Sequence, residues 1–154
     1  MGLSNANDST LPPVLRCPPL QSPRLRCGAR TWTSGDLEAA AARAAAVAWF
    51  DWGVRPGDRV AWLGANHPGQ LALLFGLARI GAILLPLNFR LAPAEWRQLV
   101  AGCSPHHLVH DTEWAQPAQE LARTCGIAAH AVEELEAGAG EAPDHAEASA
   151  PVLL

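Results

Sequence analysis

The side chains best able to do chemistry in this chain fall into short groups. Asn88 and Arg90 follow an aliphatic run, Ala82 to Leu85, and Pro86 closes that run. If the run is a strand, the pair stands at its carboxyl end, the edge at which open α/β sheets hold ligands. An amide and a guanidinium there can line a pocket for a polar or anionic group, and Arg90 can equally pin the loop that follows. Cys103, His106, His107 and His110 are of the types that metal sites use. On an extended strand, however, residues an odd number apart face opposite sides. Three ligands on one face are therefore not expected, and no metal is assigned. His67 lies near a helix start, where an imidazole can meet an anion, but the plainer expectation is a surface residue. Glu133, Glu134 and Glu136 read as the solvated face of a helix.

Composition bounds what these groups can serve. The chain has 154 residues, of which 49% are hydrophobic and 17% charged, enough for a core and too apolar for disorder throughout. A net charge of −4 and a pI near 5.8 give no electrostatic reason to expect nucleic acid. All 11 basic residues are arginines, so any phosphate chemistry that needs a lysine ammonium has none here. Cys17, Cys27, Cys103 and Cys125 include no Cys-x-x-Cys pair, which points to a reduced, cytoplasmic setting. Met1 to Thr10 is polar and does not read as an export signal, and Ala6 stands where a myristoylation signal wants Ser or Thr. The apolar reach from Leu71 to Leu87 is broken by Arg79 and Gly81 and is not expected to span a membrane.

The elements that must position these residues follow from pattern and punctuation. Residues 1–21 read as a loose leader, residues 22–137 as the folded region, and residues 138–154 as a linker and a truncated strand. Pro23 to Cys27 and Arg30 to Thr33 read as a hairpin turning at Gly28. Thr33 with Asp36 is a capping pattern for a helix from Ser34, with Leu37, Ala41, Ala45, Trp49 and Trp52 along one stripe and Phe50 off it. Gly53 stops that helix, and Pro56-Gly57 suits a type II turn. Arg59 to Leu63 is the next strand, followed by a loop whose Asn66 can cap a helix that carries Pro68 in its first turn. Leu71, Leu74, Phe75 and Ala78 are its expected inner face, with Leu73, Leu77 and Ile80 making it apolar almost all round. A turn at Gly81 leads to the Ala82 to Leu85 strand, whose lack of polar alternation predicts a central, parallel strand covered on both faces. Pro86 is expected to end it. A helix from Pro93 through Val100 with Trp96, Leu99 and Val100 inward, a strand at His106 to His110, a helix at Glu113 to Thr124 and a weak strand at Ile127 to His130 complete the order. The fold class is α/β, a partial, doubly wound and mostly parallel sheet with flanking helices and right-handed crossovers.

Three segments also carry a family resemblance. Trp32-Thr33-Ser34-Gly35-Asp36-Leu37, Gly53-Val54-Arg55-Pro56-Gly57-Asp58-Arg59-Val60, and Gly76 to Leu91 followed by Glu95 resemble successive signatures near the start of the acyl-adenylate-forming, AMP-dependent synthetase/ligase superfamily. Cys103 to Asp111 is similar to the family's next strand, which usually ends in an Asp. The resemblance spans roughly Leu25 to Val132, and Pro86-Leu87-Asn88-Phe89-Arg90-Leu91 resembles the acyl-CoA ligases within that superfamily. Such enzymes join a carboxylate to AMP from ATP and pass the acyl group to a thiol, commonly that of coenzyme A.

The resemblance implies ATP, Mg²⁺, coenzyme A and a carboxylic acid for a full-length relative, and no cofactor for this chain. The family's phosphate loop with its lysine, its catalytic Glu, its ribose-holding Asp and its carboxyl-terminal lysine have no counterpart motif in the sequence. Pro151 to Leu154 resembles the strand that would enter that loop. No catalytic, cofactor-binding or metal residue is therefore transferred. The expectation is an amino-terminal fragment of an acyl-CoA synthetase, inactive alone, that self-associates through exposed apolar surface. The alternative is a free-standing, non-catalytic α/β module that binds a small ligand or partner.

Overall fold

The computed structural model describes residues 25–27, 30–139 and 142. The leader, most of the linker and the Pro151 to Leu154 strand lie outside the described residues.

Strands β1 (Leu25–Cys27) and β2 (Arg30–Trp32) pair antiparallel, as the hairpin reading expects. Helix α1 (Ser34–Ala46) starts where Thr33 Oγ1 accepts from the Asp36 amide and Asp36 accepts from the Thr33 amide in return, the reciprocal cap legible in the sequence. It continues through a π-helical turn, Val47–Asp51, so its stripe shifts: Leu37, Ala41 and Ala45 are buried, Trp49 and Trp52 only partly.

A four-stranded sheet follows, made of β3 (Arg59–Leu63), β4 (Ile83–Leu87), β5 (His107–His110) and β6 (Ala128–Ala131) in the spatial order β4-β3-β5-β6, all pairs parallel. Helix α2 (Pro68–Arg79) joins β3 to β4. Helix α3 (Pro93–Cys103) joins β4 to β5, and α4 (Ala115–Cys125) joins β5 to β6 after a 3-10 turn, Thr112–Trp114. Because side chains alternate along a strand, Val60, Trp62, Leu84 and Val109 face one side, with α1 and α2, while Ala61, Leu63, Leu85, Leu87 and Leu108 face the other, with α3 and α4. Burial on both faces is why these strands show no polar alternation.

Several expectations give way to the observed packing. The Ala82 to Leu85 run is not central: among the described residues β4 pairs with β3 alone, and the sheet centres on β3 and β5. Nor does Pro86 end β4, for it sits opposite Trp62 within the ladder. The Ile83 N–H donates to the Asp58 carbonyl, toward β3, and alternation turns the position of Pro86 the other way, so its missing N–H costs no bond to β3. In α2 the buried residues are Pro68, Ala72, Leu73, Gly76, Leu77 and Ala78, so of the expected inner face Ala78 is buried whereas Leu71, Leu74 and Phe75 are partly exposed. The reason is α1, whose alanines let the two helix backbones approach. A Cβ on Gly76 would stand 2.8 Å from the Ala41 carbonyl oxygen and 2.9 Å from the Ala45 nitrogen. An Arg79–Glu38 ion pair closes the rim of this contact. On α3, Trp96 and Val100 are buried but Leu99 is 39% exposed. With Phe50 at 57%, it is one of two large exposed hydrophobics among the described residues, and the apolar α2 is covered on one face with Leu71, Leu74 and Phe75 partly exposed.

Candidate functional site at the carboxyl edge of the sheet

The strand order β4-β3-β5-β6 reverses direction at β3. One crossover leaves β3 through α2 to β4, and the next passes back through α3 to β5. In doubly wound sheets the crevice at such a reversal, outside the carboxyl ends of the strands, is the usual ligand position. Here it lies between the loop after β3, Gly64-Ala65-Asn66-His67, and the end of β5, His110-Asp111.

That crevice is filled by the protein's own carboxylate. Asp111 is 8% exposed, and its Oδ2 accepts from the Ala65 amide at 2.8 Å while its Oδ1 accepts from the Trp114 amide at 3.1 Å. Gly64 makes this approach feasible, since a Cβ there would lie 2.5 Å from Asp111 Oδ2. Next to it, the buried His110 Nδ1 lies 2.9 Å from the Asp111 carbonyl oxygen, a hydrogen bond in which the ring donates. Asp111 caps the turn into α4 and ties β5 to β3, so both of its oxygens are committed to backbone donors.

Asn88 and Arg90 come together in one exposed turn after β4. Asn88 Oδ1 accepts from the Arg90 amide at 3.0 Å, and the Asn88 carbonyl accepts from Trp96 Nε1 at 2.9 Å. The Arg90 guanidinium lies over the Phe89 ring at 5.6 Å. The turn is therefore built by Asn88 and locked to α3 by Trp96, with Glu95 Oε2 accepting from the Ala92 amide at 2.7 Å to cap that helix. Of the two residues, only Arg90 keeps a side chain whose polar head has no role in the turn.

His67, and not Asn66, caps α2: its Nδ1 accepts from the Gly69 amide at 3.0 Å, and its ring stacks 6.2 Å from that of Trp62. The Trp62 Nε1 is buried with no hydrogen-bond partner among the described residues. Beside this helix start lies a cavity of about 240 Å³ lined by Trp32, Arg43, His67, Gly69, Glu133 and Glu136 among others. The Thr112 hydroxyl donates to Glu133 Oε1 at 2.8 Å, and that bond holds the Glu133 carboxyl below its usual value. Glu133 and Glu136 belong to a 3-10 stretch, Val132–Ala137, in which Val132 and Leu135 are the buried pair.

Of the Cys103, His106, His107 and His110 group, the fold separates the members. His110 shares the Leu108 face of β5 and His107 the Val109 face, as strand alternation requires, while Cys103 packs at the end of α3. His107 instead meets a residue that its own neighbourhood in sequence gives no sign of. Its Nδ1 lies 3.1 Å from His130 Nε2 on β6, and His130 Nδ1 lies 3.1 Å from Glu134 Oε2. The Trp52 ring stacks on both imidazoles, at 4.1 Å from His130 and 5.8 Å from His107. The parallel register, which sets His107 opposite Ala128 and Val109 opposite His130, is what places the two rings diagonally on one face.

A triphosphate does not fit this edge. Of the arginines exposed among the described residues, Arg90 is the one in the turn after β4, and it stands beside a crevice occupied by the Asp111 carboxylate and apart from a cavity in which Glu133 and Glu136 outnumber Arg43. Each Asp111 oxygen is engaged by one backbone amide, and the residue is 8% exposed.

The model of the family described as AMP-binding enzyme matches residues 16–152. The chain is 44% identical over 94 residues to a feruloyl-CoA synthase of Amycolatopsis sp, covering 60% of this chain and 18% of that protein. It is 36% identical over 121 residues to a 3-hydroxybenzoate--CoA ligase of Aromatoleum sp. (strain CIB), covering 79% of this chain and 23% of that one. Its fold is similar to that of the N-terminal domain of FACL13 from Mycobacterium tuberculosis, with a TM-score of 0.65 and 25% identity over 74% of this chain and 31% of that chain. The chain spans about a fifth of the length of the two curated relatives.

Proposed function

We propose, for a chain that belongs to the AMP-binding enzyme family, that it supplies the scaffold of an ATP-dependent, AMP-forming acyl-CoA synthetase and none of the groups that react. The observation that carries this reading is the closed switch-point crevice. The carboxylate at the end of β5 is spent on holding two backbone amides, so the edge is built to be rigid and not to receive a ligand. Adenylation develops negative charge that must be met by preorganised donors, cations or Mg²⁺. The described edge presents carboxylates instead, and no step through ATP or coenzyme A is assigned to these residues.

In the whole enzyme the substrate is a carboxylic acid, ATP drives its activation, and coenzyme A takes the acyl group. The names of the two curated relatives favour an aromatic acid. The cell's cytoplasm is the setting that fits the cysteine usage. In the turn of Asn88 and Arg90, the exposed Arg90 guanidinium is placed to meet a group supplied by the rest of the enzyme.

The test is to read the transcript beyond the codon for Leu154. A frame that continues into a Gly/Thr-rich loop ending in lysine supports the scaffold reading. A stop with no such frame, together with a ligand held by the isolated chain, supports the free-standing binding module.

A further inference from the structure

We propose that Trp52, His107, His130 and Glu134 form an acid-sensitive clasp that fastens β6 and the connection between α1 and β3 to the rest of the sheet. The argument is one of proton counting. Glu134, when ionised, accepts only, and its Oε2 at 3.1 Å fixes a proton on His130 Nδ1. On the other side His130 Nε2 faces His107 Nδ1 at 3.1 Å, a distance at which one nitrogen must donate and the other accept. With its Nδ1 proton held by Glu134, a neutral His130 accepts at Nε2 and His107 Nδ1 donates, so a proton added to His107 goes to its Nε2 and places a cation beside the partner ring. When both rings are fully protonated, donor faces donor and two cations are held with centroids 5.3 Å apart, under an indole that stacks on each.

The groups facing His107 come from every element packed on it. His130 and His106 disfavour its charged form, whereas Asp58 and the Trp52 carbonyl favour it. Burial and His130 outweigh Asp58, so the His107 ring is held below its ordinary value of 6.5. The unfolded chain takes up this proton first as pH falls below about 6.5, so the contribution of the neutral His107 ring to the clasp is full above that value and is lost as pH drops toward the lowered one.

The location gives the clasp a consequence. β6 lies at the end of the sheet order, held by β5 alone among the described residues, and Trp52 ends the helical run that carries the exposed Phe50. Opening the clasp loosens this margin while the β3/β4 half, which contains none of its members, stays formed.

The experiment is urea unfolding of the whole 154-residue chain and of His107→Asn, which keeps a hydrogen-bonding group near Nδ1 and cannot be charged. Between about pH 7.5 and pH 5 the native chain should lose folded-to-unfolded ratio faster than the variant, by up to about tenfold per pH unit, the slope of one linked proton. Equal slopes for the two folded proteins overturn the proposal. If His107→Asn does not fold, ring-nitrogen NMR of the native chain decides. A His107 ring that takes up its proton below its ordinary value, with β6 amides losing exchange protection before those of β3, supports the clasp. A His107 ring at its ordinary value with uniform loss of protection overturns it.

Discussion

Asp111 Oδ2 accepts a hydrogen bond from the Ala65 amide at 2.8 Å, and so joins the ends of β5 and β3 across the point where the strand order reverses. The relation explains two features at once. A glycine must precede Ala65, because a side chain at Gly64 would displace the carboxylate. The position at which other doubly wound sheets bind a ligand is already taken.

Asp111→Ala removes the acceptor for both the Ala65 and Trp114 amides. Charge-assisted bonds of this kind contribute about 1.5–3 kcal/mol each, and a buried amide left bare adds a cost. The expected loss is about 3–6 kcal/mol in urea unfolding, with Asp111→Asn losing less because one acceptor remains.

Gly64→Ala should destabilise by about 1–3 kcal/mol through overpacking against the carboxylate. Combined with Asp111→Ala it should cost less than the sum of the two single changes, since the clashing atom is gone. Strict additivity in the double-mutant cycle would show that the two residues do not meet as described.

Phe50→Glu should leave the urea midpoint nearly unchanged, within about 0.5 kcal/mol, because the ring is 57% exposed. The same change should reduce any concentration-dependent association seen by sedimentation, as Phe50 and Leu99 are the large apolar side chains that the described fold leaves open. Association unaltered by the substitution would place the contact elsewhere.

Thr112→Val should raise the Glu133 carboxyl toward its ordinary value, because the Thr112 hydroxyl is the leading cause of its lowering. With a depressed folded value, the contribution of Glu133 is present above the unfolded value of 4.5 and is lost as pH falls through it to the lowered one. Carboxyl-carbon NMR of native and variant chains over that interval reads the shift directly. No upward move in the variant would contradict the assigned hydrogen bond.

Much of this architecture is legible in the residues. The Thr33 and Asp36 cap, the turn at Gly81 with φ of 70°, and the existence of three parallel strands, read at Arg59 to Leu63, Ala82 to Leu85 and His106 to His110, all follow from local signals. What stays hidden is set by partners distant in sequence. The inner face of α2 depends on α1, which arrives against Gly76, and an almost uniformly apolar helix gives no periodic clue to choose among its faces. The edge place that β4 takes among the described residues cannot be read from its aliphatic run, because cover by helices on both faces looks the same for edge and centre; Pro86 is the signal. His67 takes the cap from Asn66 through an imidazole nitrogen, which propensity for capping does not favour. At the candidate site, the Asp that ends β5 is visible through family resemblance, but its grip on Ala65 is not. The pairing of His107 with His130 needs the β5/β6 register, and 23 residues separate the two.

The central claim, that this chain is scaffold and not catalyst, is tested most directly by isotope exchange between pyrophosphate and ATP with a panel of aromatic and aliphatic carboxylic acids. It should be run on the chain alone and on a fusion that replaces the matched 94 residues of the feruloyl-CoA synthase with this chain's own. The account predicts no exchange above a heat-treated control for the chain alone and acid-dependent exchange for the fusion. Exchange by the isolated chain, or a folded fusion that binds ATP but never exchanges, would contradict it.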